Sequence, residues 1–268
     1  MKNKLMDISS AVEMINDGDT IGIGGNVLHR APMALVREIA RARKKGLHVI
    51  KTAGAMDVDL LCAANSVSSV SAGFVSYESE IGFCNFFRQA VQNGTVKGHE
   101  HACYTIISAL RASAYGIPFM PVKGLQVSDL VDVNDYFTKI KDPFSDEQIS
   151  VVKAIRPDVT IIHVQEADVY GNVKFYGPIY DDYTLVAASK KVVISAEKIV
   201  TFNIESKVDI PHLMVDAVVE VQNGAAPCSC ATLYDIDISS IKAFRSANLE
   251  DYLNKYEKLD RRTVDNEQ

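Results

Sequence analysis

Asp17-Gly18-Asp19-Thr20-Ile21-Gly22-Ile23-Gly24-Gly25-Asn26-Val27-Leu28-His29-Arg30-Ala31-Pro32 is the stretch that decides the fold. Asp17-Gly18 is a turn signal. Thr20 to Ile23 alternates β-branched residues with glycine, which predicts a short buried strand. Gly24-Gly25 removes two side chains where that strand ends, so the backbone can approach another group closely or take a positive φ. Pro32 suits the first position of a helix, where its missing N–H costs nothing. The helix that follows carries Leu35, Val36, Ile39 and Ala40 on one face and Arg37, Glu38, Arg41 and Arg43 on the other. In an open α/β sheet, ligands bind outside the carboxyl ends of the strands, so this loop is the first place to look for a site. Tight packing of strand against helix would explain the same two glycines.

Nucleotide readings fit poorly. A dinucleotide fingerprint needs G-x-G-x-x-G, and after Gly22 and Gly24 its third glycine falls on Val27. Lys51-Thr52-Ala53 stands where the acidic residue closing the second strand is expected, and no Gly-Lys-Ser/Thr occurs.

Outward from the loop, strands and helices alternate. Asp7 caps a first helix with an Ile8, Ala11, Val12, Ile15 stripe. Strands are expected over 47–52, 67–75, 158–164, 191–196 and 214–221, and short helices over 59–64 and 181–189. Phe83, Phe86, Phe87 and Val91 mark a helix that Gly94 ends. A long helix is expected from Glu100 to Tyr115, stopped by Gly116. Ala167 to Val173 reads as a hairpin in which Asp168 and Asn172 form the turn. From Lys123 to Glu147 the periodicity is lost, which points to a functional or interface loop. A polar helix over 248–259 and a mobile tail over 261–268 complete the chain. The pattern predicts a three-layer α/β fold with a mostly parallel open sheet, in one domain over residues 1–268.

Composition excludes several classes. With 268 residues, 47% hydrophobic and 23% charged, the sequence is that of an ordinary globular protein. A net charge of -6 gives no basic field for nucleic acid. No apolar run approaches a membrane span or a signal peptide's core, and cysteines 62, 84, 103, 228 and 230 show no paired framework, so a cytoplasmic location is expected. Cys228-Ser229-Cys230 lacks a second ligand pair at finger spacing, so no metal is expected.

The opening stretch resembles the signature of the α subunits of family I coenzyme A transferases. That signature runs acidic-Gly, an apolar strand, Gly-Gly-Phe, then a conformationally special residue and Pro. Here it reads Asp17-Gly18, Ile21-Gly22-Ile23, Gly24-Gly25-Asn26 and Arg30-Ala31-Pro32, with Asn26 in place of the Phe and Arg30 in place of a Gly. Arg-x-Pro is similar to the glutaconate CoA-transferase branch and to the steroid-ring-opening CoA hydrolases. Ala114-Tyr115-Gly116-Ile117-Pro118-Phe119-Met120-Pro121 resembles the family's helix end. Ile161 to Asn172 resembles its Ala-Asp/Ser-x-x-Gly-Asn hairpin, and Met214 to Val219 its late strand.

The resemblance implies a CoA-transferase fold, an acyl-CoA thioester as substrate, no tightly bound cofactor, and covalent catalysis by a glutamate on a β subunit. This chain lacks the β subunit's Glu-Asn-Gly motif. Its own carboxylates near strand ends or loops are Glu78, Glu80, Glu100, Glu166 and Glu197. The resemblance therefore implies a β-subunit partner, with Gly24, Gly25 and Asn26 lining the acyl/CoA pocket and offering amides to an oxyanion. Arg30 is a candidate anchor for a substrate carboxylate, or else a salt-bridge residue. Ser76 and Tyr77 are pocket polar groups or turn residues. Glu100, in His99-Glu100-His101, is a helix-dipole carboxylate or, as in the hydrolase branch, a catalytic group for water-dependent chemistry. On a helix the flanking histidines would not share a face. A non-catalytic acyl-CoA-binding protein is the alternative from another class.

Overall fold

The computed structural model describes residues 1–261 except Glu78, Gln126, Ile204 and Glu205; Glu78 and the expected tail beyond residue 261 lie outside the described residues. The strands are β1 (Thr20–Ile23), β2 (Leu47–Gly54), β3 (Val67–Val75), β4 (Lys97–Glu100), β5 (Phe119–Pro121), β6 (Phe137–Lys141), β7 (Gln148–Lys153), β8 (Val159–Ala167), β9 (Val173–Lys174), β10 (Lys191–Ile199) and β11 (Ala217–Glu220). The helices are α1 (Ile8–Glu13), α2 (Met33–Arg41), α3 (Met56–Ala63), α4 (Asn85–Gln92), α5 (Cys103–Ala114), α6 (Leu130–Val133), α7 (Asp182–Ala188), α8 (Ile238–Phe244) and α9 (Leu249–Asp260).

The main sheet runs β11-β10-β8-β1-β2-β3-β4, parallel throughout, with β9 folded back antiparallel on β8. Alternate residues of a strand face opposite sides, and the core divides accordingly. Ile161, Val193 and Val219 point into one apolar cluster with α1, α2 and α3. Ile162, Ile194 and Val218 point into another on the opposite face. From β1 the sheet grows one way through β2, β3 and β4 and the other way through β8, β10 and β11. The strand order therefore reverses between β1 and β8, the switch point at which open α/β sheets hold ligands.

Three expectations change. Glu100 is not at the start of a helix. Lys97 to Glu100 pairs in parallel with Ser69 to Ala72 as an edge strand, and the helix starts only at Cys103. Four largely exposed residues with no apolar side chain among them give no periodic signal on an edge. The aperiodic stretch 123–147 mostly feeds a small antiparallel sheet, β5-β7-β6, joined by short helical turns. Finally, Arg37 and Glu38 of α2 are buried rather than solvent-facing. Helix α9 covers them: Arg37 binds Asp260 with two bonds of 2.8 and 2.6 Å and stacks 4.2 Å over Tyr256. The terminal helix is thus part of the core, through Tyr252, Leu253 and Tyr256.

Candidate functional site

The end of β1 is a closed knot of buried charge. Gly24 N–H donates to Ile161 O at 2.9 Å, Gly25 N–H to Asp182 Oδ1 at 2.8 Å and Asn26 N–H to His29 O at 2.9 Å. All three amides are engaged inside the protein. The glycines answer to space: a Cβ on Gly24 would lie 2.4 Å from Ile162 Cγ2 and 2.6 Å from Asp182 Oδ1. Gly25 has φ +72°, and a Cβ there would lie 2.5 Å from Arg30 O. Beneath the loop Lys51, only 1% exposed, donates to the carbonyls of Gly24 and Gly25 and pairs with Asp57 at 3.1 Å.

Arg30 completes this knot, and of its two expected roles the structure shows the salt bridge. Its guanidinium is 3% exposed, pairs with Asp182 at 2.6 Å and donates to the carbonyls of His163, Pro178 and Ile179. Phe175 and Tyr180 flank it at 4.5 and 5.5 Å. A buried cation so surrounded is structural. Tyr77 is likewise bonded within the protein: it is buried, and its hydroxyl donates to Asp59 at 3.0 Å. Burial pushes the Asp59 carboxyl up to about 6, against the opposing bonds from Phe87 N–H and Tyr77. Ser76 is half-buried and donates to Gly82 O at 3.2 Å, as a turn residue does.

Glu100 has the opposite surroundings. It is exposed at the carboxyl end of β4 and lines an open cleft of about 430 Å³ with Gly73, Phe74, Phe87, Val91 and Leu130. Register puts Lys51, Ala72 and Glu100 in one row across β2, β3 and β4, which separates Glu100 from the lysine under the glycine loop by roughly 10 Å. On a strand, residues two apart share a face, and His99 and His101 both meet the Tyr136 ring, at 5.2 and 5.1 Å. His48 of β2 joins them 5.7 Å from His99. Burial first, and the neighbouring His99 second, lower both His48 and His101 to about 4, so these two rings are neutral near pH 7.

A second cavity, of about 770 Å³, lies beside the switch point and is lined by His29, Tyr180, Ser229, Leu233, Tyr234 and Asp235 among others. His29 Nδ1 and Ser229 Oγ are 2.8 Å apart on its wall. Under it Glu197 is held by His163 Nε2 at 2.8 Å, by the Tyr234 hydroxyl, and by the amides of Asn223 and Gly224 at 2.7 and 3.1 Å. Burial alone would raise the Glu197 carboxyl; the bonds from His163 and Tyr234 and the His163 charge hold it below its usual range. Lys51 and His163 were the signals available in sequence: each is a polar residue inside an otherwise apolar strand, and such groups are buried only when bonded.

The sequence model described as "Coenzyme A transferase" matches residues 5–221. The chain is 31% identical over 241 residues to a subunit of the 3-oxoadipate CoA-transferase of Pseudomonas knackmussii, covering 87% of this chain and 84% of that one. It is 33% identical over 238 residues to the cholesterol ring-cleaving hydrolase IpdA subunit of Rhodococcus jostii, covering 84% and 80%. An uncharacterized protein of Archaeoglobus fulgidus is 33% identical over 268 residues, and the chain spans 60% of its length. Among solved structures, glutaconate coenzyme A-transferase from Acidaminococcus fermentans superposes with a TM-score of 0.88 at 28% identity, over 98% of this chain and 90% of that one.

Proposed function

Because this chain belongs to the coenzyme A transferase family, we propose that it is the α subunit of a heteromeric enzyme that moves CoA between an acyl-CoA and a carboxylic acid. A β subunit supplies the nucleophilic glutamate. Coenzyme A enters as a thioester substrate rather than as a resident cofactor. The observation that supports this most is how the acids at the sheet's carboxyl edge are engaged. Asp57 is paired with Lys51, Asp182 with Arg30, and Glu197 with His163 and Tyr234. A carboxylate already holding buried cations and donors is a poor nucleophile, which rules out these three and agrees with a reactive acid supplied by a second polypeptide; Glu100, exposed in its cleft, is the acid of this chain left for the second reading below.

The cleft beside Glu100 is the place for the acyl end of the substrate. Its walls are Phe74, Phe87, Val91 and Leu130, which suit an apolar chain, and it opens at the carboxyl ends of β3 and β4. The five free cysteines and a mixed, acidic surface suit the cytoplasm. No described helix is long and apolar enough to cross a membrane.

A second reading rests on one observation, the exposed Glu100 in that cleft, together with the likeness to a ring-cleaving hydrolase subunit. In that reading Glu100 handles the proton of an attacking water. Reconstitution with the β subunit separates the two. CoA appearing on an added acid such as acetate or glutarate supports transfer. A cleaved carbon skeleton with CoA retained supports hydrolysis. Acyl exchange by this chain alone overturns the division of labour, and CoA binding without turnover in the reconstituted pair favours a non-catalytic role.

A further inference from the structure

His163, Glu197 and Cys230 come from three separate parts of the chain: β8, β10 and the loop beyond β11. Their donor atoms, an imidazole nitrogen, a carboxylate oxygen and a thiol sulfur, all lie within 4.8 Å of one another, the one such group among the described residues. We infer that these three side chains bind a single divalent ion of the zinc class.

The donor set has the right chemistry. Imidazole, thiolate and carboxylate are the zinc ligands of proteins, at about 2.0–2.3 Å from the ion. In a tetrahedral shell of that size, ligand atoms sit about 3.3–3.8 Å apart. His163 Nε2 and Glu197 Oε1 are 2.8 Å apart across a proton, so an ion in the place of that proton moves them by about half an ångström. On binding, the proton between Nε2 and Oε1 and the proton of the Cys230 thiol leave to solvent. Two positive charges then meet one carboxylate and one thiolate, and the buried centre carries no net charge, which contains its desolvation cost.

The surroundings are built to hold these ligands. Ser195 Oγ lies 2.9 Å from His163 Nδ1 and 3.4 Å from Ile162 O. It donates to the carbonyl and accepts from an Nδ1–H, the tautomer that frees Nε2 for a metal. Glu197 Oε2 is fixed by Asn223 N–H at 2.7 Å. Gly224 packs so close to the imidazole that a Cβ there would lie 2.5 Å from His163 Cε1. The Tyr234 hydroxyl donates to Glu197, and the open cavity beside it leaves the fourth position to a water. Tyr234 and the neighbours of Cys230, Ser229 and Ala231, line the open cavity, which gives the ion its way in. Such an ion ties the middle of β8 and the carboxyl-terminal part of β10 to the segment that walls the cavity. Cys230 finds its partners here through the sheet topology, not through Cys228 two residues away.

The test uses the full-length chain, stripped with a chelator and titrated with zinc by calorimetry, with cobalt as a spectroscopic probe. We expect one equivalent of zinc to bind with a Kd at or below about 1 µM. Cobalt should give a tetrahedral spectrum with thiolate charge transfer. Cys230→Ser should abolish that charge-transfer band and weaken zinc at least about 100-fold, whereas Cys103→Ser, at an exposed thiol outside the site, should change neither. Ser195→Ala leaves all three ligands in place and should weaken zinc about tenfold, which keeps the test sharp if the Cys230 variant does not fold. Lack of one-to-one binding, a cobalt spectrum without thiolate character, or affinity indifferent to Cys230→Ser and Ser195→Ala would each overturn the assignment.

Discussion

Two parts of the same sheet edge differ in almost every physical respect. At the end of β1, Gly24, Gly25 and Arg30 are buried and their polar groups are bonded to Ile161, Asp182 and His163. At the ends of β3 and β4, Phe74 and Glu100 are exposed around an open cleft. The first region has the glycines and the fixed charges that a site is expected to have, but those groups are bonded to one another, and the cavity beside it is lined by His29 and Tyr180 rather than by the glycines. The second has little signature and ample room. Glycine in a loop therefore has two meanings, close approach of a ligand and close approach of the protein to itself, and only the neighbours of the absent Cβ distinguish them.

The strongest way to break this contrast is Asp182→Ala. It removes the partner of a buried Arg30 and the acceptor of Gly25 N–H. Breaking a buried pair from one side costs about 3–5 kcal/mol, so urea denaturation should show a large loss of stability. A variant of normal stability that no longer binds acyl-CoA would return the glycine loop to the substrate site.

Glu100→Gln probes the other region. Glu100 is exposed, so stability should change by less than about 0.5 kcal/mol. With the β subunit present, thioester consumption in the absence of an acceptor acid should fall about 100-fold, the scale of a lost proton-transfer group. On the proposed division of labour, with the nucleophile on the partner, transfer to an added acid should persist. Equal loss of both activities makes Glu100 part of the transfer step itself.

Gly24→Ala has a smaller effect. The new methyl would overlap Ile162 and Asp182, and overpacking of this kind costs about 1–3 kcal/mol. Thermal melting should register that loss while the Michaelis constant for acyl-CoA stays constant. A raised Michaelis constant at unchanged stability favours the ligand-facing meaning of the glycine.

Much of this was legible in the residues. The 3.6-residue and two-residue periods located α1, α2, β3, α4, α7 and β10 to within a few positions, because burial of one face imposes them. What could not be read there is what faces what. Nothing in Met33 to Arg41 announces that a helix some 210 residues later covers its charged side, with Arg37 on Asp260. Edge strand β4 was missed because an exposed edge needs no apolar alternation. The Gly24 motif pointed correctly to the family, but spacing records the glycine and not the Asp182 oxygen beside it.

The mildest expected effect concerns the wall behind the cleft, and it runs through pH. His48 and His101 are lowered by burial, and then by His99, to about 4, below the roughly 6.5 of an unfolded histidine. Between those values the unfolded chain binds more protons than the folded one, so stability rises with pH across the window and is lost on acidification. Asp59, raised by burial to about 6, works in the other direction: its contribution is present at low pH and lost as pH climbs through about 6. The two trends overlap between about pH 4 and 6, so a wild-type curve alone cannot assign either. His48→Gln removes one histidine while keeping a group able to bond Ser71, now 3.0 Å away. Urea unfolding at pH 6.5 and again at pH 5 should show the wild type losing about 1 kcal/mol more than this variant over that interval, after allowance for the partial exposure of the ring. Equal slopes in the two proteins would mean that the cleft wall is as insulated from solvent as the knot of charge at β1, and the distinction between an open and a closed region would narrow to the position of Glu100 alone.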